Sequence, residues 1–182
     1  GDVMAQYCCE MADEALAEGD PELARRHLRQ ARRHDPRCVR ARFVLAGIVA
    51  SDGDSNRALD LYEEIAELDP DYIPEILDNY LEASVQAGQA DRSRNKLKEW
   101  ADQYNGISLV LKLAEFIGEE KGEEAAGAFL VESLNNKPSV RGLDRLIDLK
   151  AAGHLQSESS DDILKAVTAR LMSRQPASRC KH

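Results

Sequence analysis

Residues 58–70 decide the fold of this chain, and they read Ala58-Leu59-Asp60-Leu61-Tyr62-Glu63-Glu64-Ile65-Ala66-Glu67-Leu68-Asp69-Pro70. Most of these residues have strong helix propensity. Ala58 is small enough to let two helices approach closely, and Tyr62 is large enough to fill the gap to a neighbouring unit. Pro70 ends the helix, because a proline cannot continue it without losing a hydrogen bond. The stretch therefore predicts the second helix of a repeating helical unit.

The landmarks of this stretch recur along the chain every 34 residues. The pairs at this spacing are Gly19 and Gly53, Ala24 and Ala58, Leu28 and Tyr62, and Pro36 and Pro70; doubling the period leads to Ala126, Leu130 and Pro138. A period of 34 residues is that of the tetratricopeptide repeat, a helix-turn-helix unit, and residues 58–70 resemble the second helix of that family. In this arrangement Gly19 and Gly53 end the first helix of their units, where glycine adopts a positive φ without steric cost.

The predicted fold class is all-α, a tetratricopeptide-type helical-hairpin solenoid. We place four units at residues 5–38, 39–72, 73–106 and 107–140. The third unit departs most from the pattern, because Gly88 comes one residue late, Ser93 replaces the usual alanine and Trp100 takes a second alanine position. Residues 141–174 are predicted to be either a diverged fifth repeat or helices that cap the last apolar face, with Gly153 ending one helix and Ile163–Leu171 forming the next.

Composition agrees with a helical protein and excludes several classes of function. Val, Ile and Thr form no alternating run bounded by turn residues, so nothing in the sequence supports a sheet. The net charge of −9 argues against nucleic-acid binding, since phosphates require a broad basic face. No stretch approaches the roughly eighteen consecutive apolar residues of a membrane span. The chain begins at Gly1 and opens directly into a helical pattern, which predicts a fragment of a longer protein, one whose missing segment could carry an anchor.

Charge is distributed unevenly along the chain. Residues 25–42 contain eight arginines and one acid, Asp35, whereas residues 52–91 contain twelve acids and one arginine, Arg57. Such blocks are either solvated helix faces or a polarised surface that selects partners.

The sequence does not predict an enzyme. It contains no Gly-Lys-Ser/Thr phosphate loop, and none of its four histidines shares a motif with a serine or cysteine nucleophile. Carboxylate pairs such as Glu63 and Glu64 lie on expected helix surfaces, without a pocket that would shift a pKa. Cys8 is predicted to be a small buried residue, Cys9 to face the groove with an unactivated thiol, and Cys38 to be incidental.

The predicted binding surface is the concave side, which the first helix of each unit forms. By the family register it should present Gly47 and ten side chains, namely Gln6, Cys9, Asp13, Arg40, Phe43, Glu75, Asp78, Glu82, Leu111 and Glu115. Repeat modules that grip a terminal carboxylate use a lysine, asparagine and arginine clamp in this place. The acids here favour a basic or amphipathic partner segment instead.

The chain ends in Arg174-Gln175-Pro176-Ala177-Ser178-Arg179-Cys180-Lys181-His182. Proline and serine break the last helix, and Arg-Cys could open the first Cys-x-x-Cys knuckle of a metal site. Repeats that lead through such a segment into Arg-Cys resemble the bacterial lipopolysaccharide assembly protein B family. Tyr7-Cys8 in the first unit, and Lys137-Pro138 leading into Arg141, also fit that family.

This resemblance implies an adaptor at the inner membrane of a Gram-negative bacterium, facing the cytoplasm. Members of that family look like proteins with one N-terminal membrane helix, tetratricopeptide repeats and a C-terminal rubredoxin-like domain that binds iron or zinc. They promote degradation of the committed-step lipid A deacetylase by the membrane protease FtsH, and a lipopolysaccharide-sensing inner-membrane protein restrains them.

In this chain the resemblance makes residues 175–182 the start of a truncated metal domain, with Cys180 as a ligand only in the longer parent. The fragment itself is expected to bind no metal or other cofactor. The open apolar face of its first unit is expected to favour self-association. The alternative is a generic repeat scaffold in an unrelated envelope-assembly complex, with Cys180 incidental.

Overall fold

The computed structural model describes residues 2–104, 106–155 and 157–173. These ranges hold ten α-helices, one short 3-10 helix and no strand, and the predicted all-α repeat fold is confirmed. The α-helices are α1 Asp2–Ala17, α2 Pro21–His34, α3 Val39–Ser51, α4 Ser55–Leu68, α5 Ile73–Ala87, α6 Ala90–Tyr104, α7 Ile107–Lys121, α8 Glu123–Asn136, α9 Val140–Ala151 and α10 Ser157–Ser173; the 3-10 helix is Pro70–Tyr72. None of the described helices is both long enough and apolar enough to cross a membrane.

The chain divides into two compact units, unit 1 (Gly1–Ser93) and unit 2 (Arg94–His182). In unit 1, α1 packs on α2 and α3 packs on α4, so each pair forms a helical hairpin. The first helices of the hairpins are also neighbours, because α1 contacts α3 and α3 contacts α5. This arrangement places α1, α3 and α5 side by side, as the predicted groove requires.

A Gly-Asp pair makes the turn inside each of the first two hairpins. Gly19 and Gly53 adopt φ values of 81° and 87°, a left-handed conformation that favours glycine. The aspartate that follows caps the next helix: an Asp20 side-chain oxygen accepts a hydrogen bond from Leu23 N at 2.8 Å, and one of Asp54 accepts from Arg57 N at 3.1 Å. The first dipeptide thus ends one helix and starts another, and the second repeats this 34 residues later.

Small residues dominate the core of the first hairpin. Ala24 and Leu28 of this hairpin are fully buried; in the second hairpin Ala58 is fully buried too and Tyr62 is only 3% exposed, as their landmark roles require. The apolar core around α1–α3 includes five further alanines and three cysteines, namely Ala5, Cys8, Cys9, Ala12, Ala15, Ala31, Cys38 and Ala41. Helices lined with such short side chains can pack at close distance.

The irregular third unit begins within unit 1. Gly88 takes φ 64° at the end of α5, and the fully buried Ser93 occupies the position usual for alanine. The start of α6 is held to α4 by ion pairs from Arg92 to Asp60 at 2.7 Å and to Glu63 at 3.0 Å. Trp100, the other departure from the pattern, lies further along α6 and is 3% exposed.

Unit 2 contains the α7–α8 hairpin followed by α9 and α10. Helix α9 contacts both α7 and α8, in the same way as α3 contacts both helices of the first hairpin. Helix α10 contacts α8 and α9. Their shared core comprises Ala114, Leu130, Leu134, Leu146, Leu149 and Val167. Helix α10 begins at Ser157, six residues earlier than the predicted Ile163, because the polar run before it is helical as well.

Candidate partner-binding groove

The groove side of unit 1 carries most of the predicted contact residues on three neighbouring helices. Gln6 and Asp13 are exposed on α1, and Glu75, Asp78 and Glu82 are exposed on α5. Between them, α3 contributes the half-buried Arg40 and Phe43 and the exposed Gly47. The structure therefore brings these side chains onto adjacent helices, although they come from three different repeats.

Arg40 links the first two helices of this groove. Its Nη2 donates to Asp13 Oδ2 at 2.6 Å, and its Nη1 donates to Gln6 Oε1 at 3.3 Å. The hydrogen bond to Asp13 is the main reason why the pKa of Arg40 lies above its ordinary value. The charges of Arg40 and Asp13 therefore compensate each other in the α1–α3 part of the groove.

An aromatic cluster lies beside this ion pair. The Phe43 ring centroid is 6.3 Å from that of Tyr62 and 6.1 Å from that of Tyr72, and both pairs are tilted or edge-on. Aromatic pairs prefer such tilted or edge-on arrangements. Phe43 remains partly exposed, so it offers an apolar contact of fixed orientation. Tyr72 is absent from the predicted set, and only its position just after the helix-ending Pro70 could have suggested it.

Gly47 leaves a gap in the exposed face of α3. A Cβ atom built on this residue would meet no other atom within 4 Å. A partner side chain could therefore approach the helix backbone there, one turn beyond Phe43.

The α5 side of the groove is acidic. Glu75, Asp78 and Glu82 recur at spacings of three and four residues, which places them on one face of the helix. Glu82 accepts a hydrogen bond from Gln86 Nε2 at 3.3 Å, and Gln86 Oε1 in turn accepts from Ser55 Oγ at 3.1 Å. The pKa of Tyr62 is raised by burial and, secondarily, by the Glu82 charge, which therefore acts close to the aromatic cluster. An acidic stripe next to an apolar contact suits a segment that is both basic and apolar.

The two remaining groove residues, Leu111 and Glu115, belong to α7 of unit 2. They line a shallow hollow together with Ser108, Lys112, Arg141 and Arg145. Lys112 Nζ lies 3.5 Å from Glu115 Oε2, and Arg145 Nη2 lies 3.3 Å from Glu123 Oε2. This hollow contains more basic than acidic side chains, so its charge differs from that of the α5 stripe.

Unit 2 also contains a cavity that the sequence did not indicate. It has a volume of about 510 Å³ and lies where the C-terminal parts of α6 and α8 meet the start of α7 and the residues that precede α9. Ile107, Val110 and Phe129 form part of its apolar wall. At its edge Lys137 Nζ donates to the Asp102 carbonyl oxygen at 3.1 Å. None of the predicted groove residues lines it.

The prediction for Cys9 is wrong with respect to exposure. Its side chain is fully buried, and its Sγ atom lies 3.8 Å from that of Cys38, which is itself only 4% exposed. Burial and the neighbouring Cys38 raise the pKa of the Cys9 thiol. Cys38 is buried as well, and it belongs to the same apolar core as Cys9. Cys8 is 5% exposed, in line with its predicted role as a small buried residue.

The described part of the chain shows no cluster of metal-ligating side chains. No three side chains among its His, Cys, Asp and Glu residues lie close enough together to hold an ion. Cys180, the predicted ligand, lies outside the described residues, as does the whole segment 175–182.

Comparison with known proteins identifies the repeats and two curated relatives. Residues 9–73 match the tetratricopeptide repeat family. Lipopolysaccharide assembly protein B from Haemophilus influenzae is 33% identical over 137 residues, which is 75% of this chain and 34% of the relative. The protein of the same name from Escherichia coli strain K12 is 22% identical over 180 residues, which is 98% of this chain and 46% of the relative. The chain thus spans between about a third and about half of the length of these relatives.

Two solved structures share the fold. MamA residues 41 to the end, from Desulfovibrio magneticus RS-1, aligns with a TM-score of 0.52 at 16% identity and covers 97% of this chain and 99% of that one. PilF from Pseudomonas aeruginosa aligns with a TM-score of 0.52 at 19% identity, and the alignment covers 96% of this chain and 78% of PilF. At such identities the likeness concerns the fold alone. Repeat pattern, solved folds and curated relatives together show that this chain is a tetratricopeptide-repeat protein similar to lipopolysaccharide assembly protein B.

Proposed function

We propose that this chain is an adaptor in lipopolysaccharide assembly that holds partner proteins in the groove of its repeats. The observation that carries the proposal is the combination, on adjacent helices, of the Phe43 contact, the gap at Gly47 and the acidic stripe of α5. These features provide apolar contact, space and charge for a peptide segment. Similarity to lipopolysaccharide assembly protein B supplies the process in which such binding would act.

The finer form of the proposal concerns regulated proteolysis. In it the protein promotes FtsH-dependent degradation of the committed-step deacetylase of lipid A synthesis, and a lipopolysaccharide-sensing inner-membrane protein restrains this activity. The longer parent would act at the cytoplasmic side of the inner membrane of a Gram-negative bacterium. It would also carry a rubredoxin-like iron or zinc site with Cys180 as one ligand. Metal analysis of the parent with and without Cys180→Ser tests that last point.

The partner segment should be basic and amphipathic. Glu75, Asp78 and Glu82 would pair with its lysines or arginines, whereas Phe43 would pack against an apolar side chain one or two turns away. Such a segment gains most of its affinity from the buried aromatic contact, and charge mainly raises the association rate.

A pull-down with the full-length protein tests both levels of the proposal. Phe43→Ala should weaken capture of the deacetylase by about fivefold or more, because truncating an aromatic anchor commonly costs more than about 1 kcal/mol of binding free energy. Helical content should stay unchanged, since Phe43 is only partly buried. Tyr7→Ala, which removes an aromatic ring that is 55% exposed on α1, is the matched control.

Two results would contradict the proposal at different levels. If Phe43→Ala binds like the parent, the partner surface lies elsewhere on the molecule. If the intact protein recovers neither the deacetylase nor the protease, the regulatory role is wrong. The alternative of a repeat scaffold in an unrelated envelope-assembly complex would then replace it.

A further inference from the structure

The outer side of α2 carries arginines that the fold itself does not use. Arg25 of α2 pairs with Glu22 and Asp52, and Arg37, which follows the helix, donates to the Leu68 carbonyl oxygen. Within the described part of the chain, four other arginines of α2 make no hydrogen bond or ion pair, namely Arg26, Arg29, Arg32 and Arg33. Four guanidinium groups are therefore free for a ligand on one helix.

Three of these arginines surround a single hollow. Arg29, Arg32 and Arg33 line it together with Pro36 and Arg42, and its volume is about 280 Å³. Arg42 forms a rigid wall, because its guanidinium donates to the Pro36 carbonyl oxygen at 2.7 Å, to the Cys38 carbonyl oxygen at 3.1 Å and to Glu64 Oε2 at 3.2 Å. Glu64 compensates the charge of Arg42, which leaves the three α2 arginines as uncompensated positive charge around the hollow.

Stabilisation of the α2 dipole does not explain this arrangement. Arg32, Arg33 and His34 lie in the last turn, where positive charge favours the helix. The effect is confined to that turn, however, whereas Arg29 lies a turn earlier and still borders the hollow. The helix dipole does not require that three arginines border the same hollow.

We propose that Arg29, Arg32 and Arg33 form a binding site for a phosphate group. A guanidinium presents a planar fork of donors that matches phosphate oxygens two at a time. Three forks around one small hollow suit a compact, multiply charged anion better than the spaced single charges of an acidic peptide. Because the Debye length at physiological salt is about 8 Å, the site attracts such an anion locally despite the net charge of −9. The phosphate can belong to a soluble compound or to a phospholipid headgroup.

Two probes distinguish these sources. Inorganic pyrophosphate is titrated into the full chain by calorimetry, and vesicles of phosphatidylglycerol in phosphatidylcholine are tested by co-sedimentation against pure phosphatidylcholine. The triple variant Arg29→Gln/Arg32→Gln/Arg33→Gln should bind the recognised probe about a hundredfold more weakly. That figure follows from about 1 kcal/mol per basic residue at an anionic surface and a factor of ten per 1.4 kcal/mol.

Two further variants separate a built site from general charge and from misfolding. Lys98→Gln/Lys121→Gln/Lys165→Gln removes three exposed positive charges from unit 2 and should change affinity less than twofold. Changing the same three α2 arginines to lysine keeps the charge and the fold but removes the forks. Pyrophosphate binding should then weaken severalfold.

The results distinguish a soluble phosphate compound from a phospholipid headgroup. Loss of pyrophosphate binding in the Gln variant supports a soluble phosphate ligand, and loss of vesicle binding alone supports a headgroup. The proposal is overturned if neither probe binds, if the Lys98→Gln/Lys121→Gln/Lys165→Gln variant loses as much affinity as the arginine-to-glutamine variant, or if only polyglutamate binds, which would indicate an acidic protein partner. None of these readouts uses the groove, so the adaptor function stands or fails independently.

Discussion

At the scale of single residues, the clearest difference between expectation and structure is Cys9. The family register assigned it to the groove, yet it lies in the core with Cys38. Its neighbours Ala5, Ala12 and Ala15 are buried at helical spacing, and they form with Cys8 and Cys9 one continuous stripe of small residues. That stripe is visible in the sequence, and it indicates the burial of Cys9, which the family register did not.

Burial of Cys9 predicts slow reaction with alkylating reagents. Thiolate is the reactive species, and its fraction at pH 8 falls because burial raises the pKa of Cys9. In the native protein Cys9 should react with iodoacetamide at least tenfold more slowly than in guanidinium, as measured by peptide mapping. Equal rates in the two states would show that the thiol is exposed.

Gly47 and Gly142 should respond in opposite ways to alanine. Gly47→Ala should raise the free energy of unfolding by about 0.4–1 kcal/mol, because the added Cβ meets open space and the unfolded chain loses entropy. Gly142→Ala should lower it by about 1 kcal/mol or more, since its Cβ would lie 2.5 Å from Leu134 Cδ2 in a packed core. Urea unfolding compares the two.

A larger substitution at Gly47 also tests the groove. Gly47→Leu places a large side chain in this gap, where the first added carbon meets no other atom within 4 Å, so it should weaken partner capture while leaving stability within about 1 kcal/mol of the parent. Unchanged capture would mean that the partner does not approach α3 at this point.

At the scale of elements, the Gly-Asp turns decide where the helices of the first two hairpins end and begin. The glycine takes the left-handed conformation, and the aspartate supplies an acceptor for an N–H group that the new helix leaves unpaired. Both residues can be read from the sequence because each acts through its local backbone. The start of α10 could not be read in the same way, since nothing in its polar first turns separates a helix from a loop.

Removal of the Asp54 cap should destabilise the second hairpin. Asp54→Ala should cost about 1 kcal/mol in the free energy of unfolding, because the bond from Arg57 N is lost. Asn56→Ala, a neighbouring exposed substitution in the first turn, should change stability by less than about 0.5 kcal/mol. Equal effects in urea titrations would argue against the cap.

At the scale of the whole molecule, buried hydroxyl and thiol groups tie stability to pH. Burial raises the pKa of Tyr80, whose Oη donates to Glu63 Oε1 at 2.9 Å, and burial also raises that of Tyr62 and of Cys9. Each group is easier to deprotonate when the chain is unfolded. Their contribution is therefore fully present at neutral pH and is lost as pH rises above about 9–10, the ordinary pKa values of these groups.

Unfolding by urea at pH 7, 9 and 10.5 should show this loss directly. The free energy of unfolding should fall slightly between the first two conditions, because the ordinary pKa of a cysteine is about 8.5–9, and it should fall further at the third, where the tyrosines contribute as well. Tyr80→Phe should reduce the slope, although it also removes the hydrogen bond to Glu63. A slope identical to that of the parent would exclude Tyr80 as a contributor.

Periodicity, turn glycines and helix-ending prolines were enough to identify an all-α repeat, because each acts over one or two helical turns. The comparisons agree with that prediction and with the resemblance drawn from the tail. Long-range packing determined the rest. The fold decides which arginines are neutralised and which remain free around a hollow. Arg42, for example, is neutralised by Glu64, which lies 22 residues further along the chain. The same holds for the contact of Cys9 with Cys38, 29 residues away, since a local pattern cannot specify which helices will meet.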